Sequence, residues 1–333
     1  MGDVAMCVPV IRLLLQQHEN IEISFVSDKK LAPLFANISR CHFIGADLKG
    51  ENKGLIGLFR LFKSISSKKK VDAIADLHGV IRSVVLKSYF LFSGKPISTI
   101  DKGRSEKRKL TAKQNKSFHQ LTSGFERYAD VFKQMGYLVN LQSSQLTNVV
   151  LPLPVSAEQY FKNKTVIGIA PFAKHAEKMY PLDKMKTVVE ELSKSDVTIL
   201  LFGGGKIEKS ILDNWAGDSQ KNIINITGKY SLEEELAIIS NLKLMCSMDS
   251  ANMHLASLFG VPVVSIWGAT HPYAGFLGWG QSETDAIGLS LACRPCSVYG
   301  NKKCHRGDHA CMNMISTDRI ISRIEYNLSK HSS

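Results

Sequence analysis

Three apolar runs in the second half of the chain each give way to a turn that could hold a ligand. Thr165 to Ala170 is followed by Lys174 and Lys178, Val197 to Phe202 by Gly203-Gly204-Gly205, and Lys243 to Met248 by Asp249-Ser250-Ala251-Asn252-Met253-His254. The last turn has the most chemical content, because a helix opens there. Unpaired N–H groups and the positive dipole end suit a phosphate. Ser250 can donate to such an anion, and His254 lies one turn along the same face. Asp249 or Ser250 serves equally well as a plain helix cap, and spacing alone does not choose between the two roles. Lys178 could bring a point charge to the same phosphates, although a lone lysine before a helix also fits an ordinary surface. Gly204, lacking a side chain, lets a ligand approach the backbone. The glycine run has neither Walker A nor G-x-G-x-x-G spacing, which argues against a kinase or a dehydrogenase.

A second cluster is Cys293, Cys296, Cys304 and Cys311, interleaved with His305 and His309. Structural zinc, two disulfides and free thiols are all open readings of it, because only one C-x2-C pair is present. Cys7, Cys41 and Cys246 lie in apolar segments and read as packing residues.

These residues must be positioned by elements that alternate. In the second half the strands Thr165 to Ala170, Val197 to Phe202, Ile223 to Ile226, Lys243 to Met248 and Val261 to Trp267 alternate with helices. The helices start after Pro181, span Ile207 to Trp215, open at Ser231 with a Ser-x-x-Glu capping box, and span Asn252 to Phe259. The first half keeps the rhythm less cleanly. Strands are expected at Ile21 to Val26, Cys41 to Ile44, Val71 to Leu77 and Pro96 to Ile100. Helices are expected through Val4, Val8, Ile11 and Leu15, over Arg82 to Phe92, and over His119 to Met135. The proline-bearing stretch Asn148 to Val155 reads as a linker. The expectation is an α/β chain of two doubly wound, Rossmann-like parallel-sheet domains, 1–155 and 156–333, the second carrying the Cys-rich loop 293–311 and a terminal helix.

The 333 residues suffice for two cores, and no apolar run approaches the ~20 residues of a membrane-spanning helix. No signal peptide is legible, so a cytoplasmic location is expected. The net charge is +12, concentrated partly between Asp101 and Lys116 and in Lys68-Lys69-Lys70. Such runs are solvated loops or meet phosphates of nucleic acid, membrane or substrate. The absence of aromatics from the longer run removes support for base stacking, and no nucleic-acid partner is expected.

Taken in order, Met1 to Met6, Asp76 to Ser83, Lys178 to Pro181, Ser231 to Glu233, Asp249 to His254 and Gly260 to Gly268 give the sequence a resemblance to the lipopolysaccharide heptosyltransferases of glycosyltransferase family 9. The resemblance implies the two-domain GT-B fold and inverting transfer of a sugar, typically heptose from its ADP form, with no cofactor or catalytic metal required. Asp3 falls on the family's Gly-Asp motif, whose aspartate is taken as the general base. Lys178 matches a lysine at the donor's diphosphate; Asp249, Ser250, Ala251 and His254 match the motif holding the nucleotide sugar, and Tyr230 the side chain against the nucleobase. Hydroxyl residues that often precede that lysine are here Ala173 and Lys174, so Lys174 stands on the donor side in a different chemistry. His78 and Arg82, with Lys107, Arg108 and Lys109, fall to the acceptor, an anionic glycolipid at the inner membrane surface, which makes the chain a peripheral protein.

Within the same fold, a sugar-nucleotide epimerase or a transferase with another donor, such as a UDP sugar, is the alternative. A basic, non-enzymatic nucleic-acid or membrane-binding protein is the alternative from another class. The family's Gly-Asp motif follows a first strand that is central in the 3-2-1-4-5-6 order. Gly2-Asp3 here opens the chain, so that strand is expected to be missing, either because the start is placed too late or because the first sheet folds with a gap, and the chain as given is expected to be poorly stable and weakly active.

Overall fold

The computed structural model describes residues 1–68, 70–142, 146, 149–217 and 222–330. Lys69 of the basic run and Asn148 of the expected linker therefore lie outside the described residues. The chain divides into two compact units. The first comprises Asp3–Arg104 and Thr122–Leu146, and the second Ser105–Leu121 and Thr147–Ser333.

In chain order the first half contains α1 (Gly2–Gln17), β1 (Ile23–Asp28), β2 (Cys41–Ala46), α2 (Gly54–Lys68), β3 (Ile74–Asp76), α3 (Ile81–Phe92), β4 (Ile97–Thr99), α4 (Arg104–Leu110) and α5 (Gly124–Lys133). The second half contains α6 (Val155–Phe161), β5 (Thr165–Ala170), α7 (Leu182–Leu192), β6 (Val197–Leu201), α8 (Gly205–Ala216), β7 (Ile223–Asn225) and α9 (Leu232–Ser240). It continues through β8 (Leu244–Met248), α10 (Ala251–Ser257), β9 (Val263–Ile266), β10 (Ala286–Ile287), α11 (Ala310–Asn313) and α12 (Thr317–Lys330).

The second unit is built on one parallel six-stranded sheet in the order β10-β9-β8-β5-β6-β7. Counted from its own first strand, this is the 3-2-1-4-5-6 order of a doubly wound sheet. From Val166 to Ala170 β5 is buried because helices cover both faces, and α7 presents Met185, Val188, Val189 and Leu192, each at most 2% exposed, to it. Gly168 in β5 lets Leu242 and Met245 approach closely; a Cβ there would come within 2.7 Å of Leu242 Cδ1. The capping box at α9 forms as its sequence implies. Glu234 N–H donates to Ser231 Oγ at 3.3 Å, and Ser231 N–H donates to Glu234 Oε2 at 2.8 Å.

In the first unit, β1 pairs with β2 and β3 with β4, all in parallel, and among the described residues the two pairs form separate two-stranded sheets. The helix α1 is buried along most of its length, from Ala5 to Ile11 and again from Leu13 to Leu15. Its C-terminal carbonyls are satisfied by Arg40, whose guanidinium donates to His18 O at 2.9 Å, to Glu19 O at 2.7 Å and to Leu15 O.

The basic segment departs from the loop that its charge suggests. Residues 104–110 form α4, with Leu110 fully buried against Leu121 and Ala274. The stretch 105–121 packs with the second unit, so the boundary at residue 155 is corrected for this excursion. Leu121 N–H donates to Tyr273 O at 3.0 Å, and Lys116 Nζ donates to Pro295 O at 2.9 Å and Ala292 O at 3.3 Å. One buried leucine and two loop carbonyls outweigh the solvation preference of a charge run.

Candidate active site

In an open parallel sheet, ligands bind beyond the carboxyl ends of the strands where the order reverses. In the second unit that point lies between β5 and β8, neighbours in the sheet though far apart in sequence. The turn after β5 delivers Lys178 and the turn after β8 delivers Asp249. Their side chains meet at 2.8 Å, with exposures of only 15% and 6%. Asp249 Oδ2 also accepts from the Thr270 hydroxyl at 2.8 Å, beyond the end of β9. Beside this pair, Ser250 precedes α10 without a side-chain capping bond and instead shares a hydrogen bond with Ser247 Oγ at 3.0 Å. Ala251 opens the helix, and His254 is buried within it. Ser250 thus stands at the N-cap position of α10, but its hydroxyl makes no bond to the first turn.

The Cys-rich loop supports the same lysine. Gly300 has φ +71°, and a Cβ there would collide with Cγ and Cδ of Lys178, so the lysine stem lies directly over this glycine. Arg294 ties the loop to the end of β9, donating to Gly268 O at 2.6 Å, Leu289 O at 2.6 Å and Thr270 O at 3.1 Å. Burial pulls its guanidinium down to about 10. Cys293, Cys296, Cys304 and Cys311 are unbonded thiols in this structure. Among the described residues no three His, Cys, Asp or Glu side chains are grouped to hold a metal. Burial pushes the Cys311 thiol up to about 11 and also raises Cys296, next to its neighbours Cys293 and Cys304.

Elsewhere on this unit, Gly204 precedes α8 and its N–H donates to Glu208 Oε2 at 2.6 Å. Lys174 is exposed in the β5 turn. Tyr230 is half-buried and hydrogen-bonded to Tyr160, whose hydroxyl burial and this bond push up to about 12. Thr270, Gly300, Glu208 and Tyr160 were not legible as partners in the sequence. Thr270 alone carries a signal, its place just past a strand's carboxyl end.

In the first unit, Asp3 stands exposed in the first turn of α1. Its carbonyl accepts from the Tyr128 hydroxyl at 3.3 Å and from the Cys7 thiol at 3.2 Å. At the end of β3, buried Asp76 accepts from Gly79 N–H at 2.8 Å, His78 N–H at 3.1 Å and Ser83 Oγ at 3.1 Å, and pairs with Lys87 at 3.1 Å. Burial alone would raise the Asp76 carboxyl, but these bonds hold it below the usual carboxylate range. They also fix the turn that carries His78. Desolvation lowers the His78 imidazole, Lys102 lowers it further, and Asp3 acts in the opposite sense, with Asp76 and Arg82 also in range. Asp3, His78 and Arg82 thus share one electrostatic neighbourhood.

Lys107, Arg108 and Lys109 fall in the second unit. Lys107 is 6% exposed, with its ammonium 4.4 Å from the Phe276 ring centroid, so it is a packed cation and not a solvated phosphate contact. Arg108 and Lys109 remain exposed on α4.

A family profile described as glycosyltransferase family 9 (heptosyltransferase) matches residues 58–305. The chain is 24% identical to lipooligosaccharide heptosyltransferase 2 of Campylobacter jejuni, over 100% of its own length and 96% of the relative's. Among solved structures, a glycosyl transferase of family 9 from Veillonella parvula superposes with a TM-score of 0.74 at 19% identity, covering 99% of this chain and 94% of that one. The ADP-heptose lps heptosyltransferase II of E. coli does so with a TM-score of 0.67 at 17% identity, covering 100% and 97%. These likenesses show the two-domain GT-B fold.

Proposed function

Starting from the premise that the chain belongs to glycosyltransferase family 9 and is a glycosyltransferase, we propose that it moves heptose from ADP-heptose to an anionic lipopolysaccharide-core acceptor, inverting the anomeric centre. The observation that carries this reading is the Lys178–Asp249 pair at the switch point of the six-stranded sheet, 2.8 Å apart and largely shielded from water. A carboxylate behind an ammonium fixes its direction, and a fixed cation stabilises charge that grows on a departing diphosphate without reorganising during the reaction.

In the proposed reaction the acceptor hydroxyl attacks the anomeric carbon while the bond to the diphosphate breaks. Asp3 takes the hydroxyl proton as it becomes acidic in the transition state. Lys178, with the backbone and hydroxyl donors at Ser250 and Ala251, meets the negative charge on the leaving ADP. Gly204 leaves space at the backbone, and Tyr230 and Lys174 flank the nucleotide. His78 and Arg82 face the acceptor's anionic groups. Since Lys178 supplies the positive charge, the transfer requires no metal. Relatives named for lipooligosaccharide and lipopolysaccharide substrates support the acceptor class. We place the protein on the cytoplasmic side, peripheral to the membrane; no helix among the described residues is long and apolar enough to cross one.

The test is a thermal-shift screen followed by transfer. ADP-heptose should raise Tm, by about 2.7 kcal/mol of stabilisation at a hundredfold excess over Kd, and should label a heptose-deficient lipopolysaccharide acceptor. Stabilisation and transfer with UDP sugars but not with ADP-heptose would overturn the donor assignment.

A further inference from the structure

The helices α2 and α3 expose apolar surface that the transfer reaction does not use. At 100° per residue, Ile81, Val84, Val85, Ser88, Leu91 and Phe92 fall within an arc of about 120° along α3. This arc carries no charge, yet Ile81 is 83% exposed, Leu91 61% and Phe92 88%. The opposite face is already committed to the core, where Phe90 and Leu86 pack with Ala46, Leu61 and Ile65. An apolar helix face is normally turned to the core; on α3 a second apolar arc, away from the core, lies in solvent.

The neighbouring helix extends the surface. On α2, Leu55 is 64% and Phe59 40% exposed. Tyr89 of α3 bridges the two helices, with its ring 5.4 Å edge-on from Phe59 and its hydroxyl donating to Leu55 O at 3.4 Å.

Along α2 and α3 themselves the charge has one sign. Residues 53–67 contain Lys53, Arg60 and Lys63 and no acidic residue, and residues 81–95 contain three basic and no acidic residues. Lys87 turns inward to Asp76, whereas Arg60, Lys63 and Arg82 are exposed. Two copies of these helices would set Arg60, Lys63 and Arg82 of one against the same cations of the other. Anionic headgroups above hydrocarbon complement both features, since basic side chains meet the phosphates and the apolar tips enter the acyl boundary.

We propose that the outer face of α2 and α3 docks on an anionic lipid bilayer. The inference deepens the reading that the acceptor is a membrane glycolipid and rests on it for its biological sense, but its test needs no sugar.

The full-length chain is mixed with vesicles of phosphatidylcholine, with or without phosphatidylglycerol, and sedimented. Binding is expected to be stronger on the anionic vesicles and to fall with salt. The Leu55→Ser, Leu91→Ser, Phe92→Ser triple variant should lose roughly tenfold or more in affinity, since each side chain forfeits several buried CH2 groups. Its Tm should stay near the parent's, because the side chains it alters lie largely in solvent. Arg60→Gln with Lys63→Gln should weaken anionic binding and flatten its salt dependence. Equal retention on neutral and anionic vesicles, or parental binding by the triple variant, overturns the proposal. A concentration-dependent dimer abolished by the triple variant would give the face to a second copy and overturn it too. Vesicle binding by a chain that cannot use ADP-heptose would sink the proposed reaction and leave this surface standing.

Discussion

Replacing Lys178 by Met removes the ammonium and keeps most of the stem that lies over Gly300. It leaves Asp249, 6% exposed, facing the space its cation occupied at 2.8 Å. Breaking a buried pair on one side costs about 3–5 kcal/mol, because the remaining charge stays desolvated. The surviving hydrogen bond from Thr270 puts the expected loss at the lower end, about 3 kcal/mol. For a domain of this size that is a drop in Tm of roughly 6–12 °C. The assay is clean, because Trp215, Trp267 and Trp279 are all the tryptophans of the chain and all lie in the second unit. Tryptophan fluorescence in a guanidinium titration therefore follows that unit alone. Adding Asp249→Asn removes the stranded charge while keeping an acceptor for Thr270, so the double variant should regain most of the lost stability. Its affinity for ADP should stay low, since the cation is still missing. Stability and donor binding would then separate, as they must if the pair both holds the turn and presents the lysine. A Lys178→Met chain as stable as the parent, or a double variant no more stable than the single, would refute the reasoning.

Three further outcomes are expected. Asp3→Asn should lower kcat by about 10²–10⁴-fold with ADP affinity unchanged, the usual scale for a general base; turnover within a few fold of the parent would remove Asp3 from that role. Gly300→Ala should raise KM for the donor and lower Tm, because the residue sits at φ +71° and its Cβ would displace the Lys178 stem; unchanged donor kinetics would detach the Cys-rich loop from the site. Burial raises the Glu235 carboxyl from 4.5 to about 7. The folded state then binds more protons than the unfolded one between about pH 4.5 and 7, so stability falls as pH rises through that window, by at most roughly 3 kcal/mol. Glu235→Gln should flatten this slope in denaturant titrations from pH 4 to 8, and an identical slope in parent and variant would exclude the residue as its source.

What the sequence determined by itself was whatever neighbours in the chain can settle. The strand Thr165 to Ala170 and the capping box of Ser231 and Glu234 are legible because alternation, periodicity and caps are local physics, and the structure places them as read. The family stretches likewise named Lys178 and Asp249 as belonging to one ligand, though not as partners of each other. Their pairing depends on β5 lying beside β8, and nothing within either strand says which strand will be its neighbour. The basic run was misread for a related reason. A solvated loop and a helix with one buried leucine look alike until something exists for Leu110 to pack against, and that something is Leu121 and Ala274. The same holds for α3, whose sequence carries apolar residues on more than one face. How much of a helix is buried is fixed by the elements around it, and with one face of α3 against Ala46, Leu61 and Ile65, tertiary structure left Ile81 and Phe92 in solvent.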